Sequence, residues 1–407
     1  MSGARSFVSS QVEESLGLVR GQLDRYPLDQ DFVDQFSSVV RGVPLVDVQR
    51  PVLEQKMAST LSKVREAALR EDGFFVRKAR WPGAAGFAVC LTHDVDNISR
   101  PRDHLWKTRS RFSLADQIGG LLGIVPVYNN VRLISSKEAS YGFHSSFYFL
   151  SSNYPLADVR RDSDQMRAAG WEVGLHGDFD THDSAEKMNE ALSRFAAGLG
   201  FKPTGVREHY LKFDFEKTWP IMEHAAFDYD TTVGTNDRLG FKLGLASPFH
   251  PPDASWSPMN LLELPLILMD TTLWGYLKKS EEEGMADAIR FIDTVQGLEG
   301  LLTLLWHQEA VRLRGGRIYW KILKEFKSRP CFVASGAEIA RWWRVRSVPL
   351  VRDGRLIRLE GDPPKDLVLQ LDLAEGRVAT VRSGSLDGEG NSRSIRPSSR
   401  GFELEVT

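Results

Sequence analysis

Gly86-Phe87-Ala88-Val89-Cys90-Leu91-Thr92-His93-Asp94-Val95-Asp96 is an apolar run that ends in two acids one residue apart. The part from Gly86 to Thr92 predicts a short buried strand. Residues i and i+2 of an extended segment point the same way, so Asp94 and Asp96 face one cavity at the strand's C-terminal end. Two carboxylates held side by side repel unless a cation or a shared proton lies between them. The stretch therefore reads either as a metal or acid–base site or as a strand end running into a polar turn through Asn97.

Downstream, apolar segments alternate with helical patterns. Strands are expected over residues 86–92, 146–150, 171–175, 204–207, 228–233, 261–268, 301–306 and 330–333, and helices over 158–169, 184–199, 215–225, 281–295 and 316–327. Short, nearly all-apolar strands joined by helical crossovers predict an α/β domain with a parallel sheet covered on both faces. Eight candidates suggest a closed or nearly closed barrel, which gathers chemistry at the strand C-termini. Asp94, Asp96, His176, Arg207, Asp270 and His307 fall at those ends, and that coincidence points to an enzyme.

The rest of the chain is expected to frame this barrel, which takes residues 81–345. Val12, Leu16, Val19 and Leu23, then Leu53, Met57, Leu61 and Val64, repeat at helical spacing, so residues 1–80 predict a helical brace. Residues 346–407 predict a small β-rich appendage, because Leu367, Leu369, Leu371 and Leu373 alternate with Val368, Gln370 and Asp372. Two connections are long. One, residues 100–143, is expected to hold a short helix over Ser113 to Ile124 and then loop from Pro126 to Ser140. The other, residues 235–260, carries Phe241, Phe249 and Trp256, which suit either stacking on a sugar ring at the barrel mouth or ordinary loop packing.

Composition narrows the function. With 52 basic and 54 acidic residues the net charge is −2, so no overall field favours nucleic acid or an anionic membrane. No stretch approaches the length of a transmembrane segment, and Met1 to Ser10 has no apolar signal core, so a cytoplasmic location is expected. Cys90 and Cys331 sit in expected strands and read as small buried hydrophobes, neither a disulfide framework nor a structural zinc site.

Four further segments carry candidate chemistry. In Glu172-Val173-Gly174-Leu175-His176-Gly177-Asp178-Phe179-Asp180-Thr181-His182 an imidazole ends a strand and acids follow. Asp96, His176 and one of Asp178, Asp180 or His182 would give three protein ligands and leave a position for water. In Gly205-Val206-Arg207-Glu208-His209-Tyr210, Arg207 is placed to neutralise a catalytic carboxylate. His307 ends the apolar strand Leu304-Leu305-Trp306, where a buried imidazole needs a partner. Asp270, which closes Leu266-Ile267-Leu268-Met269, is expected to supply it and fix the tautomer.

These motifs resemble the polysaccharide deacetylase family, also called the NodB homology or carbohydrate esterase family 4 fold, over about Gly86 to Trp343. The likeness is greatest to a subgroup whose first motif reads Thr-His-Asp-Val-Asp. The resemblance implies a distorted (β/α)7 barrel, with one of the eight strands peripheral. It implies that Asp94 is the catalytic base, Asp96 and His176 are metal ligands, Arg207 and Tyr210 belong to the third motif with His209 in place of a proline, and His307 is the general acid. The family's second metal-binding histidine stands four residues after the first, where this chain has Asp180, and Gly177 replaces the family's Ser or Thr. Spacing thus makes Asp180 the expected third ligand of a divalent ion. Zinc is the ion expected, although the extra carboxylate would favour a harder one. The implied activity is removal of an N-acetyl group from an amino sugar in a glycan intermediate of surface-polysaccharide synthesis. Hydrolysis of another non-peptide C–N bond or an acetyl ester, and a catalytically silent carbohydrate-binding role, are the alternatives.

Overall fold

The structure, a computed structural model, describes residues 2–99, 106–313, 315–399 and 401–407. Its centre is the strand β2, Phe87–Val95, buried at every position. β1, Phe74–Lys78, precedes it. Around β2 run β3 (Ser146–Leu150), β4 (Glu172–Gly177), β5 (Gly205–Glu208), β6 (Tyr229–Asp230), β7 (Leu262–Glu263), β8 (Leu266–Met269), β9 (Leu301–Leu305) and β10 (Cys331–Ala334). The path is β7-β6-β5-β4-β3-β2-β9-β8, and every pairing along it is parallel. Its two ends, β7 and β8, are pieces of one segment split at Leu264-Pro265, so the sheet curls until its edges meet. Proline has no N–H to give to a ladder, which accounts for the split. β10 pairs only the first half of β2, Phe87 to Cys90, and stands outside this path.

Strand parity positions the site. Thr92, Asp94 and Asp96 share one side of β2, and His93 takes the other, where it is fully buried against Glu138 (2.9 Å) and the Trp306 carbonyl (2.7 Å). The crossover helices include Arg160–Ala168, Ala185–Leu199, Glu281–Gly297 and Tyr319–Lys327. Ser184 and Ser280 cap two of them by accepting hydrogen bonds from the third backbone N–H beyond. In the connection expected to be loop, residues 131–139 instead form a helix, and it supplies Glu138 to His93.

The flanking regions are joined to each other. Helices Ser2–Leu16, Gln22–Arg25, Gln30–Val39 and Val52–Glu71 form the N-terminal helical region. Residues 74–78, within the stretch expected to be helical, are the strand β1, which pairs antiparallel with Leu369–Leu373 of the C-terminal region. That region is all β, with two four-stranded sheets, one of which includes β1. Leu369, Leu371 and Leu373 face its core beside Phe74, Val76, Ile395 and Leu404. Its own strands after β10 are Leu350–Asp353, Leu356–Leu359, Leu369–Leu373, Ala379–Arg382, Gly384–Asp387, Ser392–Pro397 and Glu403–Val406. No described helix is long and apolar enough to cross a membrane.

A buried ion pair fastens the helical region to the barrel. Arg80 Nη1 donates to Glu54 Oε1 at 2.7 Å, and the two side chains are 3% and 1% exposed. Glu54 also accepts from Ala246 N and Ser247 Oγ, while Arg80 donates to the Ser15 and Leu298 carbonyls. Removing one member of such a pair strands the other charge, which costs about 3–5 kcal/mol. Arg80→Met is therefore expected to lower stability by about that amount, and Arg80→Met with Glu54→Leu to recover part of it. Denaturant midpoints of parent, single and double variants check this, and a double variant no more stable than the single one would contradict it.

Candidate metal centre and its cleft

The C-terminal strand ends open into a cleft of about 550 Å³ lined by Asp94, Asp96, His176, His209, Tyr210, Asp270 and His307, among others. Arg207 lies beneath this lining, fully buried. Its Nη2 donates to Thr92 Oγ1 (2.6 Å) and its Nε stands 3.3 Å from Asp94 Oδ1. Opposite, His307 Nδ1 donates to Asp270 Oδ1 (2.7 Å) and its backbone N–H to Asp270 Oδ2 (3.0 Å). With Nδ1 so engaged, Nε2 is the nitrogen left for a ligand in the cleft. Burial disfavours the charged ring, but Asp270, helped by Asp96 and Asp94, outweighs it and raises His307 to about 10.

One group of donor atoms has the composition of a metal site. Asp96, His176 and His209 each offer a ligand atom, all within 4.8 Å of one another. His176 Nε2 is 3.3 Å from Asp96 Oδ1, and His209 Nε2 is 4.0 Å from the same oxygen. His176 Nδ1 donates to the Arg207 carbonyl (2.9 Å), which fixes the tautomer with Nε2 as the donor toward an ion. Burial opposes the charge on Asp96, yet His176, His307 and His209 hold its carboxyl well below the usual range. Asp96 Oδ1 is buried and, among the described residues, accepts no well-formed hydrogen bond. A buried anionic oxygen facing two imidazoles fits a divalent cation.

Asp180 does not belong to this group. It is exposed on the loop after β4, and His209 stands where it was expected. Asp178 is paired with Arg194, and His182 lies near Asp183, 3.9 Å away. The loop turns outward after His176, so four residues of spacing bring Asp180 to solvent. His209 reaches in because the chain turns sharply beyond β5: Tyr210 and Leu211 have φ of 59° and 52°, a left-handed conformation costly for non-glycine residues. His209 then stacks on Tyr210 with centroids 4.1 Å apart and meets His176 edge-on at 5.0 Å. The signal was present in the sequence, since Arg207 and His209 repeat, at the end of another strand of the same sheet, the i, i+2 pattern of Asp94 and Asp96.

Gly177 follows from the acid packed against it. A Cβ at Gly177 would lie 2.2 Å from Glu208 Oε2 and 2.6 Å from Thr181 Oγ1. Glu208 is fully buried, bonded to Thr181, and burial pushes its carboxyl up to about 8. Asp230 and Glu263 are both buried, and burial raises both; Asp230 pushes Glu263 up further, whereas the bond with Glu263 works to lower Asp230. Glu263 also accepts from Trp219 Nε1 (3.0 Å).

The aromatic lining differs from the one expected. Phe241 and Phe249 are in the core and Trp256 packs on Phe7 and Arg41, because the 235–260 connection folds against the N-terminal helices. Tyr210, Trp274 and Tyr276 line the cleft instead, the last two from a π-helical turn, Thr272–Tyr276. Such turns often mark functional sites.

Comparison with known proteins gives limited likeness. No family model and no curated protein matches this chain. Among solved structures, it is similar to a Mycobacterium smegmatis protein described as a "putative polysaccharide deacetylase", at 18% identity over 65% of this chain and 93% of that one, with a TM-score of 0.48. It is similar also to Puue allantoinase, at 17% identity over 66% and 93%, TM-score 0.47. A probable polysaccharide deacetylase of Pseudomonas aeruginosa PAO1 gives 17% identity over 66% and 94%, TM-score 0.47. Likenesses this distant carry no functional weight.

Two outcomes are expected of this site. Zinc bound to the purified protein, read by elemental analysis, should fall at least about tenfold in His176→Ala and His209→Ala and stay at the parental level in Asp180→Ala. Loss in Asp180→Ala with retention in His209→Ala would reverse the assignment. The second concerns pH. Glu263 has a folded-state pKa above its unfolded one, so its contribution is fully present below the unfolded value and is lost as pH rises through the folded one. Glu263→Gln should therefore flatten the fall in stability as pH rises above the ordinary carboxyl range, though not abolish it, because Glu208 still titrates at about 8. Equal slopes in denaturation midpoint against pH for parent and variant would contradict this.

Proposed function

We propose that this chain is a metal-dependent hydrolase that removes an N-acetyl group from an amino sugar of a surface-polysaccharide intermediate, on a barrel of the (β/α)7 type, in the cytoplasm. The observation that carries the reading is the meeting, in one cleft, of an Asp-His-His donor set with an Arg-backed aspartate and an Asp-backed histidine. Sequence motifs that resemble the polysaccharide deacetylases add the reaction type.

Asp96, His176 and His209 would hold the ion, with zinc the choice that two imidazoles and one carboxylate suit. When bound, such an ion lowers the pKa of water and polarises a carbonyl. Asp94, beside Arg207, accepts the proton of the attacking water. The Tyr210 backbone N–H is assigned to the oxygen that gains charge. His307, charged through Asp270, gives its proton from Nε2 to the departing amine. Bond to bond, the amide C–N bond breaks, a C–O bond forms, and acetate and a free amine result. Trp274 and Tyr276 offer flat apolar faces to the sugar ring.

His307→Ala is the discriminating variant. Acetate release from N-acetylglucosamine oligomers should fall ~100 to 10,000-fold, whereas hydrolysis of 4-nitrophenyl acetate, whose leaving group needs little protonation, should fall far less. Equal losses on both would remove the general-acid role. A zinc-loaded parent that releases acetate from neither compound would favour the carbohydrate-binding alternative.

A further inference from the structure

The helix Leu114–Leu121 is built inside out. Ser113 caps it by accepting from Asp116 N at 3.1 Å, and Asp116 turns inward to pair with Arg312 (2.8 Å) and Arg317 (2.7 Å). Gly119 also faces inward, where a Cβ would lie 2.5 Å from Val125 Cγ2. The opposite face carries Leu114, Ile118, Leu121 and Leu122, spaced i, i+4, i+7 and i+8 along a single stripe. These are 70%, 51%, 36% and 66% exposed, and Ile124 just beyond is 74% exposed. In an ordinary surface helix the apolar stripe is the buried one. Here ion pairs on the inner face hold it outward.

The neighbouring sequence supplies charge of one sign. Trp106-Lys107-Thr108-Arg109-Ser110-Arg111 has three cations and no acid, although the whole chain is nearly neutral. Trp106 is 55% exposed, and Lys107 and Arg111 are exposed as well. The helix itself has a single acid, Asp116, and that one is turned inward, so its outer face carries no negative charge against this run.

We propose that residues 106–124 dock the protein on the surface of an anionic phospholipid bilayer, with the apolar stripe laid in the interfacial layer. Aliphatic side chains beside Lys and Arg, with a tryptophan at the margin, are the combination that layer takes up. Eight residues span only about 12 Å, so the helix lies in the surface and does not cross it. Charge also selects this occupant over a second copy of the chain. A twofold contact places the same patch on both sides, so it would bring the two cationic runs toward each other.

Docking would set the cleft against the lipid. Phe112 bridges to Leu313, and Ser110, Arg111 and Leu313 are part of the cleft lining. Resting on the function proposed above, the substrate class is then an acetylated amino sugar carried on a lipid and presented from the bilayer.

Flotation of the full chain with vesicles tests the docking. Binding is expected to vesicles of three parts phosphatidylcholine to one part phosphatidylglycerol, weaker to phosphatidylcholine alone and weaker in high salt. Ile118→Ser with Leu122→Ser should lower vesicle affinity at least about tenfold, with melting temperature and bound zinc unchanged. Failure of the parent to float with the anionic vesicles, equal flotation of parent and double variant, or a dimer that the same substitutions dissociate would each overturn the proposal. Flotation needs no turnover, so a protein that floats but releases no acetate refutes the deacetylase reading and leaves the docking standing.

Discussion

The Arg207 guanidinium holds the cleft in electrostatic balance. An unpaired cation this deep would be strongly disfavoured, and so would Asp94 and Asp96 side by side without a counter-charge. Their closeness is tolerated because Arg207 Nε stands 3.3 Å from Asp94 while the two imidazoles face Asp96. The same residue acts through its main chain, since its carbonyl fixes the ring of His176. One residue on the end of β5 thus both pairs with Asp94 through its side chain and sets the tautomer of His176 through its main chain.

The layer beneath repeats the problem with a different solution. Glu208, Asp230 and Glu263 have no cation of their own among the described ion pairs, and burial raises all three: Glu263 well above the usual range, Glu208 to about 8, and Asp230, which the charge of Arg207 works to lower, to about 6. Histidines around Asp96 keep that acid ionised, whereas burial holds protons on Glu208 and Glu263. The boundary between the two regimes runs through β5, where Arg207 and Glu208 are adjacent and point to opposite sides.

Much of this was legible from period alone. The two-residue repeat placed Asp94 with Asp96 and away from His93, and apolar runs ending in polar residues located the strand ends of His176, Asp270 and His307. Spacing failed where the chain left regular structure. Counting four residues from His176 assumed that the loop continued inward, but it turns outward, and Asp180 is exposed. Left-handed backbone at Tyr210 and Leu211, which turns His209 inward, has no glycine to announce it. The aromatic residues of 235–260 and of 272–276 looked alike in composition, and only tertiary packing sent one set to the core and the other to the cleft. The strand β1 was hidden because its partner lies roughly 300 residues further on.

That long-range pairing has a consequence during synthesis. Phe74 to Lys78 leave the ribosome roughly 300 residues before their antiparallel partner, Leu369 to Leu373. At about 5–20 residues per second the wait is roughly 15–60 seconds. Throughout it Phe74 and Val76 lack the neighbours that cover them in the finished chain, and β1 is an unpaired edge open to other strands. Until Leu369 to Leu373 are made, the folded barrel carries this edge beside it, and a segment made much later is what closes it.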